Sequence, residues 1–480
     1  MQKFIYTNRF NIKNIDIYIF VICSDLKKNI DKIQKLLNIE KLPKKLFESY
    51  KLNEDFEKNI YTDKFEVIFV GVNESSKCSN KKLYETFGKI GKNLADQNKN
   101  IMINLLDDNK NIIKNQIISL ILGFYNCTLF KSDIKLNNSK IYFYYPKLKL
   151  KNDINNFIYQ AEIQNEVRNL INMPSNILFS KKYFSYIKSN MSEDVKIKVL
   201  NEEKLKKIGC NLILGVNQGS KNKSMMVVLE YNNKVGKNDK TIVLIGKGVM
   251  FDSGGYNIKH GDFSDMKNDM SGSAIVYGIF KLLSKYKVEG HFIGLLPLVE
   301  NIVDSNSIKP CDILKSYSGK TVEITDTDAE GRLILADALA YSEKYKPYLC
   351  IDIATLTGQA AAIFDSKSFV IMGNNNRYIQ KMINAGVENN EKIWELPMWS
   401  EYISMTKSNI ADLKNYSNNS KAGTIMAGAF LSNFIPKDSN WIHLDIAGPD
   451  NLSQGNEMRH SGATAESMRS VFSFLQNFNK

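Results

Sequence analysis

The sequence predicts an α/β protein of two domains, a smaller N-terminal α/β domain and a larger C-terminal domain with a mixed sheet sandwiched by helices. Three observations carry this expectation. Short β-rich apolar runs alternate with helical periodicity along the chain, the pattern that crossover connections produce. A long amphipathic stretch that stops at Pro174 divides the pattern in two. Residues 324–332, ITDTDAEGR, place charged groups where a strand gives way to a helix, and open α/β sheets hold their ligands at such junctions. With 480 residues, 43% of them hydrophobic, the chain can bury more than one core.

In the first domain, residues 1–152, the runs 15–23 and 65–72 read as buried strands, 82–96 and 112–122 as helices, and 140–145 as a strand. No P-loop and no GxGxxG follows any of these strands, so this part reads as a scaffold or assembly domain. The helix 153–170 lies in a connecting segment, 153–176, that ends in NMPSN. Beyond it, in 177–480, strands are expected at 226–231, 241–247, 291–298, 321–325 and 349–354, with a helix at 272–286.

The 324–332 segment anchors the chemistry. Asp326, Asp328, Glu330 and Arg332 fall on every second residue, which in an extended segment points all four to one side. Gly331 would let the backbone turn sharply, after which Leu333, Ala336, Leu339 and Ala340 form a buried helical stripe. A second cluster follows the strand TIVLI: GKGVMFDSGG brings Lys247 and Asp252, and Lys259, Asp262, Asp265 and Asp269 come before the next helix. Carboxylates gathered from two strand ends repel one another unless cations compensate, and a pair of divalent ions is the simplest compensation. Two metals can share a water and lower its pKa, so hydrolysis is the chemistry expected.

Other classes find less support. The six cysteines have no CxxC spacing and read as reduced, mostly buried thiols. The four histidines make no HExxH pair, so a metal here must be held largely by carboxylates. The net charge of +13 comes from lysines scattered through the chain, which favours a solvated surface over a nucleic-acid face, although a DNA-binding architectural role is the alternative it leaves open. No apolar run is long enough to cross a membrane, and the start of the chain has no apolar signal region, so the expected location is the cytoplasm.

The strings GKGVMFDSGG, DMKNDMSGSA, TDTDAEGRLILADAL, IDIATLTG, AGTIMAGAFL and WIHLDIAG, in that order, resemble the cytosol (leucyl) aminopeptidase family of di-metal peptidases. The likeness runs from about residue 161 to 474 and is weak in the N-terminal third. It implies two divalent ions, Mn²⁺ or Zn²⁺, held by Lys247, Asp252, Asp269, Asp328 and Glu330, with Asp252 and Glu330 bridging. Lys259 would stabilise the oxyanion, and Arg332 would hold bicarbonate as a general base. Met266, Thr355 and Gly358 would line the first side-chain pocket. The implied activity is removal of N-terminal residues, apolar ones such as leucine, from short peptides by a homohexamer of two trimers whose sites face an interior cavity. Two departures stand out. Asp326 occupies a position where the family usually has Asn, and the stretch from Lys259 to Asp269 is one residue shorter, leaving Asp265 as the other candidate ligand.

Overall fold

The computed structural model describes all residues except 1–2, 11, 23–32, 38–55, 63, 72–79, 106–108, 133–137, 234–239, 418–419 and 479–480. Cys23, Cys78 and Val72, part of the sequence expectations, lie outside the described residues. The chain divides into two compact units, one of residues 1–165 with 454–461, the other of 166–453 with 462–480. The division falls inside a single helix, Lys151–Asn172.

The first unit is a six-stranded sheet. Its strands are β1 (Lys3–Thr7), β2 (Ile17–Ile22), β3 (Phe56–Tyr61), β4 (Glu66–Gly71), β5 (Ile101–Asn104) and β6 (Lys140–Tyr144), in the order β1-β6-β5-β2-β4-β3. All pairs are parallel except β3 with β4. Helices Asn80–Leu94 and Lys110–Phe124 contribute Leu83, Phe87, Ile117 and Ile121 to the core against Ile17, Ile19 and Ile103. Residues 454–461 return late in sequence to this unit: the Arg459 guanidinium donates to the Tyr84 hydroxyl at 2.7 Å, and Met458 packs over Gly88.

The second unit contains β7 (Val195–Asn201), β8 (Met225–Asn233), β9 (Thr241–Gly246), β10 (Gly248–Asp252), β11 (Gly290–Asn301), β12 (Ile313–Lys315), β13 (Thr321–Glu323), β14 (Leu349–Ala354), β15 (Phe369–Gly373), β16 (Ile393–Glu395), β17 (Leu413–Lys414) and β18 (Asn440–Asp445). The main sheet runs β16-β15-β18-β14-β9-β11-β8-β7, with β10 paired to β11. It is mixed: the centre, from β18 to β11, is parallel, and β8 and β15 join antiparallel. Central strands such as β9 and β14 are buried along their whole length, as a sheet covered on both faces requires. Val243 and Ile245 of β9 share a core with Leu333 and Leu339 of the helix Gly331–Ser342. The helix Ser271–Lys285 begins against the end of the sheet, where Ser273 N donates to Lys247 O at 2.8 Å and a Cβ on Gly272 would come within 2.0 Å of Ile353 O.

Several expectations need correction. Residues 324–330 are not extended but form a turn, and β13 stops at Glu323 in a separate sheet of β12, β13 and β17. Helix Gly331–Ser342 is buried on every side, not along one stripe. Of the described cysteines, all free, Cys210 and Cys350 are buried, Cys127 is half-buried and Cys311 is exposed, so the thiols are less uniformly buried than expected.

Candidate metal centre and active site

Four chain segments converge at the carboxyl ends of the central parallel strands. Lys247 follows directly on β9, with its backbone N bonded to Ile353 O of β14. Asp252 ends β10, where Gly254 N at 2.9 Å and the Asn301 amide at 2.8 Å both donate to its Oδ1. Asp269 closes a 3₁₀ turn, Ser264–Asn268, and is pinned through its carbonyl, which accepts Val249 N of β10 at 3.2 Å.

The fourth segment is the turn 324–330. Its shape is set by Asn415, whose Oδ1 accepts Thr325 N at 2.8 Å and whose amide donates to Asp326 O at 2.6 Å and Ala329 O at 3.2 Å. Asp326, placed among the carboxylates by residue spacing, turns its Oδ1 instead onto Asp328 N at 2.8 Å, the local hydrogen bond of an Asx turn. Period-two geometry therefore does not bring Asp328 and Glu330 to the site; the turn does. Gly331 has no positive φ, and its value is space: a Cβ there would lie 2.5 Å from both Cε and Nζ of Lys247.

The result is a buried cage. Carboxylate oxygens of Asp252, Asp269 and Glu330 lie within 4.8 Å of one another. Lys247 Nζ sits 2.8 Å from Asp269 Oδ1 and 2.9 Å from Glu330 Oε1, and it donates to Thr355 O at 2.9 Å. Lys259 Nζ bridges Asp252 Oδ2 at 2.7 Å and Asp328 Oδ1 at 2.5 Å. Four carboxylates face two ammonium groups, so two negative charges are left over.

The electrostatics record that excess. Burial, with Asp252 and Glu330 close by, pushes Asp328 up to about 7. Burial likewise carries Asp269 well above the ordinary range, despite Lys247, and raises Asp252. Glu330 goes the other way: burial opposes its charge, but Lys247 and Lys259 together hold it below the usual value. Asp269 Oδ2 is buried and has no hydrogen-bond partner. An orphaned carboxylate oxygen inside an electron-rich, oxygen-donor cage fits divalent cations.

The cage forms the floor of a cavity of about 990 Å³. Lys259, Arg332, Met266, Thr355 and Gly358 all line it, so every site residue expected from the sequence reaches this one space. Arg332 is buried, with Nη1 donating to Asn415 O at 2.9 Å and Nε without a partner. Asp265 is different from Asp269: its side chain is half exposed and accepts the Asn451 amide at 2.9 Å. Sequence reasoning missed Asn301 and Asn415, which shape the cage from a distance, and Asp450, which lines the cavity. Only Asn301 had any signal, a polar residue closing a long apolar strand.

Fold and site together define an α/β protein whose carboxylate and lysine cage at the sheet's carboxyl edge has the oxygen donors to hold a metal ion. Residues 165–472 match the catalytic domain of the cytosol aminopeptidase family, and the chain belongs to that family. A probable cytosol aminopeptidase of Haemophilus influenzae (strain PittEE) is 41% identical over 314 residues, which is 65% of this chain and 62% of that protein. A second, of Buchnera aphidicola subsp. Baizongia pistaciae, is 39% identical over 356 residues, 72% of this chain and 70% of the relative. The match thus spans under two thirds of the first relative's length and slightly more of the second's. Among solved structures, the bottromycin maturation enzyme BotP in complex with Mn superposes with a TM-score of 0.84 over 97% of this chain and 100% of that one, at 23% identity, a likeness of fold.

Proposed function

We propose that the protein is a metal-dependent aminopeptidase acting on short peptides. The observation that carries the reading is the cage itself: Lys247, Asp252, Asp269, Asp328 and Glu330 meet at one end of a cavity that also presents one cationic amine, Lys259, and one buried guanidinium, Arg332. Two divalent ions, Mn²⁺ or Zn²⁺, held by those five residues would lower the pKa of a water and polarise the scissile carbonyl.

The chain's own groups supply the rest. The Lys259 ammonium is kept charged by Asp252, Glu330 and Asp328 against the effect of burial, and it faces the cavity, where it donates to the oxyanion formed as the peptide carbonyl is attacked. Such a donor is worth a few kcal/mol of barrier. Arg332, with its Nε unsatisfied and the Tyr416 ring 5.8 Å from its guanidinium carbon, is the group able to hold a small anion such as bicarbonate as proton acceptor. The free α-amine of a peptide, in its neutral form, would be a ligand for one of the two ions, which accounts for cleavage at the N-terminus. Met266 supplies an apolar wall for the first side chain, consistent with leucine and similar residues.

The homohexamer implied by family likeness belongs to the same proposal, and a sedimentation mass near that of one 54.7 kDa chain would remove it. Surface lysines such as Lys81, Lys110 and Lys223 are paired one by one with carboxylates, as on a solvated surface, so the observations favour the peptidase over a DNA-binding role. The deciding experiment measures release of amino acid from a leucyl amide before and after chelation, then with Mn²⁺ or Zn²⁺ restored. Turnover that disappears and returns is expected; no turnover with either metal ends the reading.

A further inference from the structure

Three segments contribute to the wall of the cavity: the 3₁₀ turn carrying Met266, the loop 355–359 after β14, and the loop 447–451 after β18. They are tied to one another. Asp445 Oδ1 accepts both Leu356 N, at 3.1 Å, and Ala447 N, at 3.2 Å, and the Asn451 amide reaches Asp265 Oδ2 at 2.9 Å. Asp450 belongs to the last of these loops, with its backbone fixed at both ends by Asp450 N to Ile446 O, 3.2 Å, and Thr464 N to Asp450 O, 2.9 Å. Asp450, on a backbone held at both ends, lines the same cavity as Met266, Thr355 and Gly358.

Its surroundings are wrong for a lone carboxylate. Burial pushes its pKa well up and Asp265 and Asp445 repel it, while the Asn451 backbone N–H and the Ser271 hydroxyl favour its charge only weakly, the latter donating to Asn268 O at 2.6 Å. Among the described residues no basic side chain forms an ion pair with it. Lys267, in the 3₁₀ turn, lies 3.9 Å from Asp265. A purely apolar pocket would have no use for such a group, because burying a carboxyl without a matched partner is unfavourable.

We propose that Asp450 is a specificity-determining residue that selects peptides whose N-terminal side chain carries a cation, lysine or arginine. This rests on the aminopeptidase reading and refines it. A lysyl or arginyl side chain has an apolar stem of three or four methylenes that lies along Met266 and a charged tip that meets Asp450, so one pocket satisfies both parts. Desolvated charge pairs of this kind discriminate strongly, since a substrate lacking the cation leaves the carboxyl unpaired.

The test compares kcat and KM for lysyl, arginyl, leucyl and methionyl amides, using Mn²⁺-loaded wild type, Asp450→Asn and Asp450→Met. The wild type is expected to hydrolyse lysyl and arginyl amides at least as efficiently as leucyl amide. Both variants should lower the lysyl-to-leucyl ratio of kcat/KM tenfold or more, chiefly through KM. A ratio unchanged within twofold in Asp450→Asn overturns the proposal. The wild type alone also decides it: good turnover of leucyl amide with lysyl and arginyl amides more than a hundredfold poorer refutes the role of Asp450 while leaving the aminopeptidase reading intact. No turnover of any amide sinks that reading and the proposal with it.

Discussion

Asp337 lies in the middle of the helix Gly331–Ser342, fully buried, where the periodicity marks a packed face. Its carboxylate accepts three backbone N–H groups, Leu212 at 2.9 Å, Ile213 at 3.1 Å and Tyr317 at 2.7 Å, and so closes the start of the helix Asn211–Val216 onto the helix that follows the metal cage. Burial outweighs these bonds and raises its pKa from 3.8 to about 7. A raised acid binds its proton more tightly in the folded state, so its contribution to stability is fully present below pH 3.8 and is lost as pH rises through 7. From pH 5 to 7, where the slope of about 1.4 kcal/mol per unit falls off as the group becomes half ionised, the wild type should lose about 2.3 kcal/mol that Asp337→Asn does not. The variant turns an amide N–H₂ toward at least one backbone N–H and should start about 1–3 kcal/mol less stable at pH 5. Its deficit should then shrink toward zero, or change sign, by pH 7. Urea unfolding of metal-free protein, followed by tryptophan fluorescence, reads this directly, because Trp394, Trp399 and Trp441 all belong to the second unit. Other titrating groups cancel in the difference between the two proteins. A deficit that stays constant between the two pH values would refute the assignment of a costly buried charge to Asp337.

The remaining predictions concern the cage. Asp326→Asn keeps an oxygen for Asp328 N, so turnover should stay within about tenfold, roughly 1.4 kcal/mol; complete loss would show that the charge itself is needed. Gly331→Ala puts a methyl group against the end of Lys247, a flexible neighbour that can move, so the far-ultraviolet circular dichroism should be preserved while kcat/KM falls a hundredfold or more. Mn²⁺ at a hundred times its dissociation constant should stabilise the wild type by about 2.7 kcal/mol, visible as a higher melting temperature, and Glu330→Gln should abolish that gain. After dialysis, Asp269→Asn should have lost bound Mn²⁺ and Asp265→Asn should have kept it; the reverse result would move the ligand to Asp265.

The main sheet was legible wherever burial on both faces wrote a mainly apolar run, as in β9, β11 and β14, the last interrupted only by Asp352. Edge and short strands were not: β7 alternates lysine with apolar residues and β16 has three residues, so neither run stands out from loop. In the cage, the ligand candidates lie within short motifs and could be named from them. The geometry that gathers them could not be read, because it depends on partners remote in sequence. Asn415 shapes the 324–330 turn from roughly 90 residues away, and Asn301 steadies Asp252 from 49. Asp337 hides for another reason: it interrupts an apolar helix without any local mark of the three N–H groups it serves.

Residues 454–461 belong to the first unit although the chain on either side of them belongs to the second. That threading has a consequence for birth on the ribosome. At bacterial-like elongation rates of about 5–20 residues per second, roughly 23–90 s separate the first residue from residue 454. For the part of that interval after β6 ends at Tyr144, about 16–62 s at the same rates, the N-terminal sheet has its six strands but not the loop that brings Arg459 to Tyr84 and Met458 over Gly88. Vectorial synthesis therefore cannot finish one unit and then begin the other; each is completed only by residues made almost last, 454–461 for the first and 462–480 for the second.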